Sequence, residues 1–232
     1  MLVVGVAAAA QVLSGLGFAL VAGPLLALTL GTTDAVRLSV TMSLVLNVVL
    51  LTCTYRLVRW GDALRLFVPA ALLVVPTFLL TTRLSSAWVS ATAGAAVLLG
   101  VVLIASGWRA RWVDAPVGAV AAGAASGVLN VLGGVSGPPV ALFVAHRGWA
   151  PAVSAATLQA YAMPLNVVTL GALGLPVGEP RWVWAGLGLV LGAGAAWPFR
   201  RRISAGTVRT LVLVLATSGA LMLLVEAWEI SG

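Results

Sequence analysis

The stretch Leu132 to Phe143, LGGVSGPPVALF, sets three glycines, a serine and two adjacent prolines inside a long apolar run. Proline lacks a backbone donor and clashes with the preceding turn, while glycine adopts dihedrals closed to other residues, so this segment is expected to form two half-helices. Helix ends leave N–H groups without intrahelical partners, and a helix N-terminus carries partial positive charge. Gly133, Gly134, Ser136, Gly137 and Pro138 can thus cradle a small anion without a charged side chain. Glycine admits the anion close to the backbone and Ser136 offers a hydroxyl. Pro138 and Pro139 start the second half-helix, where a missing donor costs little. The competing reading is that these small residues permit tight helix crossings. A weaker break, Ser14-Gly15-Leu16-Gly17-Phe18 followed by Gly23-Pro24, lies in the first apolar run.

Other uncharged donors stand inside apolar runs. Asn47 and Asn166 can each present an amide to an anion, helped by Gln159 and Tyr161. Equally, they can act as interhelical glue worth about 1 kcal/mol. Arg83 and Arg202 lie at segment ends, where anchoring at the interface is the leading reading and a substrate gate the other. His146 is the single histidine, beside Arg147, and reads as a solvated loop residue with a pH-sensitive gate as the alternative. No Walker motif, paired catalytic carboxylates, metal-ligand spacing or Ser-His-Asp set is present, so neither an ATPase nor an intramembrane enzyme is expected, and no cofactor or metal. Cys53 is the only cysteine, which excludes a disulfide framework and a thiolate metal site.

The elements that hold these residues follow from hydropathy. Hydrophobic residues make up 61% of the 232 and charged ones 8%, with a mean hydropathy of +1.11; this is the composition of an integral membrane protein embedded in a lipid bilayer. The net charge of +7 comes from arginine alone. The arginines sit between apolar runs and form no basic domain, so nucleic acid is not expected as a partner. With about 20 apolar residues per span, eight segments emerge, at 3–30, 39–56, 64–81, 87–107, 115–145, 152–174, 182–199 and 207–227. The acids and arginines lie between them or at their ends, which leaves no carboxylate relay inside a span. Trp60, Trp88, Trp108, Trp112, Trp149, Trp182, Trp184, Trp197 and Trp228 fall near segment ends, as an interfacial belt requires. The N-terminus lacks a basic region before its apolar run, so the first segment is expected to stay in the mature protein.

Sliding the chain by 119 residues aligns Leu46-Asn47-Val48-Val49 with Leu165-Asn166-Val167-Val168, Arg83 with Arg202, Ser85 with Ser204 and Gly100 with Gly219. The expected halves are 1–113 and 114–232, two transmembrane repeats that each open with a long interrupted segment. If all eight segments cross, the arginines divide almost evenly between the two sides. If the fifth is a re-entrant hairpin, Arg56, Arg59, Arg65, Arg109, Arg111, Arg147, Arg200, Arg201, Arg202 and Arg209 share one side, leaving Arg37, Arg83 and Arg181 on the other. That is a positive-inside bias. Treating the first segment alike gives each half an odd number of spans, hence an inverted repeat with both termini outside. Eight true spans in parallel repeats is the competitor. The fold class is accordingly an all-α polytopic membrane protein with its first and fifth segments broken or re-entrant.

The GGVSGPP break, the SGLGF break with downstream Pro24 and the duplicated layout resemble the TauE/SafE sulfite exporter family. The resemblance spans essentially the whole chain, and its specific part is the second-half motif. In the first half Leu16 and Phe18 stand where family members often carry glycines. The resemblance implies a bacterial inner-membrane transporter that exports sulfite or a related organosulfur anion. On this reading the substrate meets Gly133, Gly134, Ser136, Gly137, Pro138, Asn47, Asn166, Ser14, Gly15, Gly17 and Gln159. Export of an anion can draw on the inside-negative potential, about 2.3 kcal/mol per charge per 100 mV, so uniport is the simplest mechanism. A scaffold subunit and a small-anion channel are the alternatives, and a homo-oligomer is left open.

Overall fold

The computed structural model describes residues 1–14, 17–106, 116–175, 181–199 and 205–231, and every regular element among them is helical. Ten α-helices follow in order: α1 Leu2–Ser14, α2 Gly17–Leu30, α3 Thr32–Thr54, α4 Trp60–Thr81, α5 Ser86–Ser106, α6 Pro116–Gly133, α7 Gly137–His146, α8 Pro151–Leu173, α9 Arg181–Ala196 and α10 Ala205–Ser231. The expected first segment is α1 plus α2, and the expected fifth is α6 plus α7. The fifth segment is interrupted at residues 134–136, whereas residues 15 and 16, between α1 and α2, lie outside the described residues. Pro24 does not interrupt α2, and Pro69, Pro76 and Pro164 also sit inside helices. Neighbouring helices make room for such rings, here Gly219 beside Pro24, where an added Cβ would lie 2.7 Å from the proline.

The expected second segment began at 39, whereas α3 begins at Thr32. Gly31 caps it with φ 75, and the charged residues that ended the hydropathy window are accommodated in the first turn. Arg37 pairs with Asp34 at 3.0 Å and donates to Leu173 O at 2.9 and 2.7 Å. At the other end, the Arg59 amide donates to Thr157 Oγ1 at 3.1 Å. The start of α3 thus meets the end of α8, and the chain just past α3 meets the start of α8, so the two helices run antiparallel. Gly118 near the start of α6 and His146 at the end of α7 line one groove, so α7 returns toward the end from which α6 set out.

Both faces of most helices are apolar, and size decides which face goes inside. On α4, Ala63, Leu66, Ala70, Val74 and Thr77 are buried, while Leu64, Val68, Leu72, Val75 and Leu79 are exposed. Where lipid competes with protein for apolar surface, close approach of backbones rather than hydrophobicity drives helix association. Glycine pairs one turn apart provide it. A Cβ added to Gly123 or Gly127 would overlap Leu66 O or Ala70 O on α4, and one added to Gly188 or Gly192 would overlap Met1 O or Gly5 O. Three helical stretches, Thr32–Leu57, Trp60–Thr81 and Trp182–Phe199, are long and apolar enough to cross a membrane; shorter apolar ones include Leu2–Leu13, Phe18–Leu30 and Val117–Gly133. Exposed Trp60, Trp88, Trp184 and Trp228 lie near helix ends, in keeping with the belt, while Trp108 and Trp112 lie outside the described residues.

The core divides in two. One cluster gathers buried residues of α1, α2, α5, α9 and α10, the other those of α4, α6, α7 and α8, and α3 contributes to both. These clusters cut across the sequence halves 1–113 and 114–232. The pairings are reciprocal as well: α1 packs on α9 and α4 on α6, α2 on α10 and α5 on α7. At the offset of 119 residues, α3 and α8 coincide end to end.

Candidate functional site

The break of the fifth segment lies against α2 and α3. Gly134 has φ 68 and turns the chain out of α6. Its amide donates to Asn130 O at 2.9 Å, and that of Val135 to Leu129 O at 3.2 Å. These two amides, expected to be free for an anion, instead close the end of α6 by satisfying carbonyls that a helix terminus leaves open. Pro138 and Pro139 have no N–H to offer. The donors left at the break are the Ser136 and Gly137 amides and the Ser136 hydroxyl, which makes no cap hydrogen bond to α7. Tyr161 Oη donates to Ser126 Oγ at 2.5 Å, and Ser126 Oγ donates to Ser136 O. This relay fixes the turn's carbonyl, so Tyr161 is a positioning group rather than the free helper expected.

An added Cβ would find room at Gly133 and at Gly134. A Cβ on Gly133 would meet Ala93 at 3.7 Å, an ordinary contact, and one on Gly134 would meet Ser39 Cβ at 3.6 Å. What Gly134 supplies is its left-handed backbone, so Gly134→Ala is expected to cost about 1–2 kcal/mol and Gly133→Ala less, as read by thermal unfolding in detergent. The tight contact here belongs to Gly23, where an added Cβ would sit 2.5 Å from Gly133 O.

Ser39 on α3 is fully buried, and its Oγ has no hydrogen-bond partner. Two turns further along α3, Asn47 is 1% exposed and its Nδ2 also lacks a partner. Asn47 Oδ1 accepts from Gln11 Nε2 at 2.6 Å, and the same nitrogen lies 3.3 Å from Gln159 Oε1. Gln11, Asn47 and Gln159 thus form one buried amide set on α1, α3 and α8, between the two core clusters. Asn166 is buried on α8 but is not bonded to this set; one turn on, Thr169 accepts from Asn130 Nδ2 at 2.8 Å. At the mouth of α3 a cavity of about 160 Å³ is lined by Thr32, Thr33, Thr81, Thr82, Val36 and Val131 among others.

Some expected site residues are not brought to this place in view. Gly15 lies outside the described residues, as do the side chain of Ser14 and the surroundings of Gly17, and so do Arg109, Arg111, Arg200, Arg201 and Arg202. Arg83 is exposed in the turn after α4, as an anchor would be. His146 ends α7 with Nδ1 2.9 Å from Leu142 O, so its ring faces its own helix rather than a loop. Gln11, Ser39, Ser126 and Asn130 were missed in the sequence. Two of them carried a signal, because the offset that pairs Asn47 with Asn166 also pairs Gln11 with Asn130.

Among the described residues no group of three or more His, Cys, Asp or Glu side chains could hold a metal. The arrangement offers neutral hydrogen-bond donors in an apolar bundle, which suits the binding of a small polar group. No curated protein and no solved structure matches the chain. The family model described as "Sulfite exporter TauE/SafE" matches residues 1–223. With apolar helices throughout and a match over nearly its full length, this membrane protein belongs to the TauE/SafE sulfite exporter family of transporters.

Proposed function

We propose that the protein exports sulfite or a related small organosulfur anion across the bacterial inner membrane by alternating access, as a multi-pass uniporter driven by the membrane potential. Three buried side-chain donors have no partner among the described residues, Ser39 Oγ, Asn47 Nδ2 and Arg147 Nε, and the observation that carries this reading is that the first two lie on the helix that borders the Gly134 break. A buried donor left unpaired costs about 1–3 kcal/mol, and an anion arriving at either atom recovers it.

The same proposal makes 1–113 and 114–232 an inverted repeat with re-entrant hairpins at α1–α2 and α6–α7. The antiparallel run of α3 and α8 supports it, since eight straight spans would make these helices parallel. Arg59 stacks on Trp149 at 4.9 Å, Arg147 on Phe143 at 4.9 Å, and the two rings meet edge to face at 6.1 Å. That contact gathers Arg59 and Arg147 at one end of the bundle, which supports the re-entrant charge count.

Purified protein in liposomes, offered sulfite, thiosulfate, sulfoacetate, taurine and acetate, tests the function. Saturable flux of sulfite or a sulfonate, with counterflow, is expected. Conductance that does not saturate would replace the transporter with a channel, and no flux for any anion would refute the proposal.

A further inference from the structure

We propose that the transported anion is monovalent and moves along α3 through two stations built from neutral donors only, the Ser39 hydroxyl beside Gly134 and the Asn47 amide beside Gln11. This rests on the transport reading above and names the charge state of its substrate. Ser39 belonged to no motif in the sequence, and the break alone gives no reason to place an anion on α3.

The route is set by helical spacing. Thr32, Val36, Ser39 and Asn47 recur close to multiples of a turn and lie along one face of α3. Thr32 and Val36 line the cavity at the mouth, and Val36 also lies beside Gly134, 3.8 Å from where a Cβ on that glycine would sit. An anion in the cavity is therefore one turn from Ser39. From Ser39 to Asn47 the helix rises about 12 Å, more than a small oxyanion spans, so the two donors serve in succession.

The valence follows from what is absent around them. Every buried polar side chain among the described residues is an amide or a hydroxyl. The cost of removing an ion from water rises with the square of its charge, whereas the return from neutral dipoles rises only in proportion to it. A dianion needs a fixed cation, and Arg147, whose buried Nε has no partner, lies with Arg59 at the end of the bundle opposite the mouth. Arg37 is bonded to Asp34 and to Leu173 O at the mouth. The other titratable side chains described on α3 and the helices packed against it are Cys53, Tyr55 and Arg56, which are exposed, and Tyr161, which donates to Ser126. The Arg181 side chain of α9 lies outside the described residues. Hydrogensulfite and sulfonates fit this lining; the sulfite dianion, sulfate and thiosulfate do not.

The test is initial flux into liposomes holding the full-length protein, with total sulfite fixed, across the pH range in which hydrogensulfite loses its proton. Methanesulfonate, monovalent throughout, reports any effect of pH on the protein. Rates are expected to fall on one curve when plotted against hydrogensulfite concentration, dropping about tenfold per pH unit at the alkaline end, while methanesulfonate flux stays level. Sulfate and thiosulfate should remain at background. Ser39→Ala should lower flux at limiting substrate about tenfold or more with an unchanged melting temperature. A single curve against the dianion, or thiosulfate carried as fast as sulfite, would overturn the monovalent assignment. Unaltered flux in Ser39→Ala would overturn the upper station. Flux of no anion at all is a different result: it removes the transport reading, and the proposal with it.

Discussion

Asn47→Leu lowers sulfite flux about ten- to hundredfold and leaves the melting temperature of the purified protein nearly unchanged. Two opposed effects on stability account for the second half of that result. The substitution removes the 2.6 Å bond from Gln11 Nε2, which a membrane interior values at about 1 kcal/mol. It also removes Nδ2, a buried donor with no partner, which relieves about 1–3 kcal/mol. Leucine has a similar volume, so no cavity opens. Binding has no such compensation, because a hydrogen bond to a charged ligand contributes about 1.5–3 kcal/mol, which is the stated range in rate. Flux and melting temperature measured on one preparation decide the matter. If both fall together, the amide is interhelical glue and not a station for the anion.

Gly127→Val produces the opposite pattern, loss of the folded protein with no separable effect on transport. The added Cβ of even an alanine would overlap the Ala70 carbonyl on α4. That atom belongs to the backbone of a helix which packs on α6 along much of its length, so it cannot turn aside as a side chain would. Overpacking of this kind costs about 1–3 kcal/mol where side chains yield, and more where they cannot. Size-exclusion chromatography in detergent should show the aggregated or absent protein. Gly171→Val, at a helical glycine with nothing within 4 Å of an added Cβ, should elute normally. A well-folded Gly127→Val protein would mean that α4 and α6 separate freely.

These results bear on how far the sequence could be read. The break of the fifth segment was legible because glycine and proline act on the backbone of their own residues, wherever the chain packs. Arg37 hid the true start of α3 because hydropathy counts a charge and does not see the Leu173 carbonyl that receives it. Ser39 was illegible for a related reason. A hydroxyl in a helix usually donates to the carbonyl one turn back, as Thr41, Thr157 and Thr169 do, and only the folded molecule shows that Ser39 does not. Gln11 and Asn130 stood in plain view at the repeat offset, but an amide in an apolar run acquires a meaning only when its partner is known. The crossing glycines and the glycine of the break are alike in sequence; the backbone angle of Gly134 and the close carbonyls at Gly127 and Gly192 tell them apart.

The glycine contacts also decide where the bundle can give way. At α4–α6 and α1–α9 one helix backbone rests directly on another, with no flexible side chain between them to absorb a shift. Each pair is a welded joint, and each welds the first arm of a broken segment to a helix from the other half of the chain. Gln11 of the α1–α9 pair is linked in another way, amide to amide, to Asn47 of α3 and Gln159 of α8. Such bonds can be released on one side and remade on the other, or handed to a passing anion, without disturbing either weld. On the proposed transport cycle, the amide seam would be the clutch of the molecule, and the anion's donors the parts that disengage.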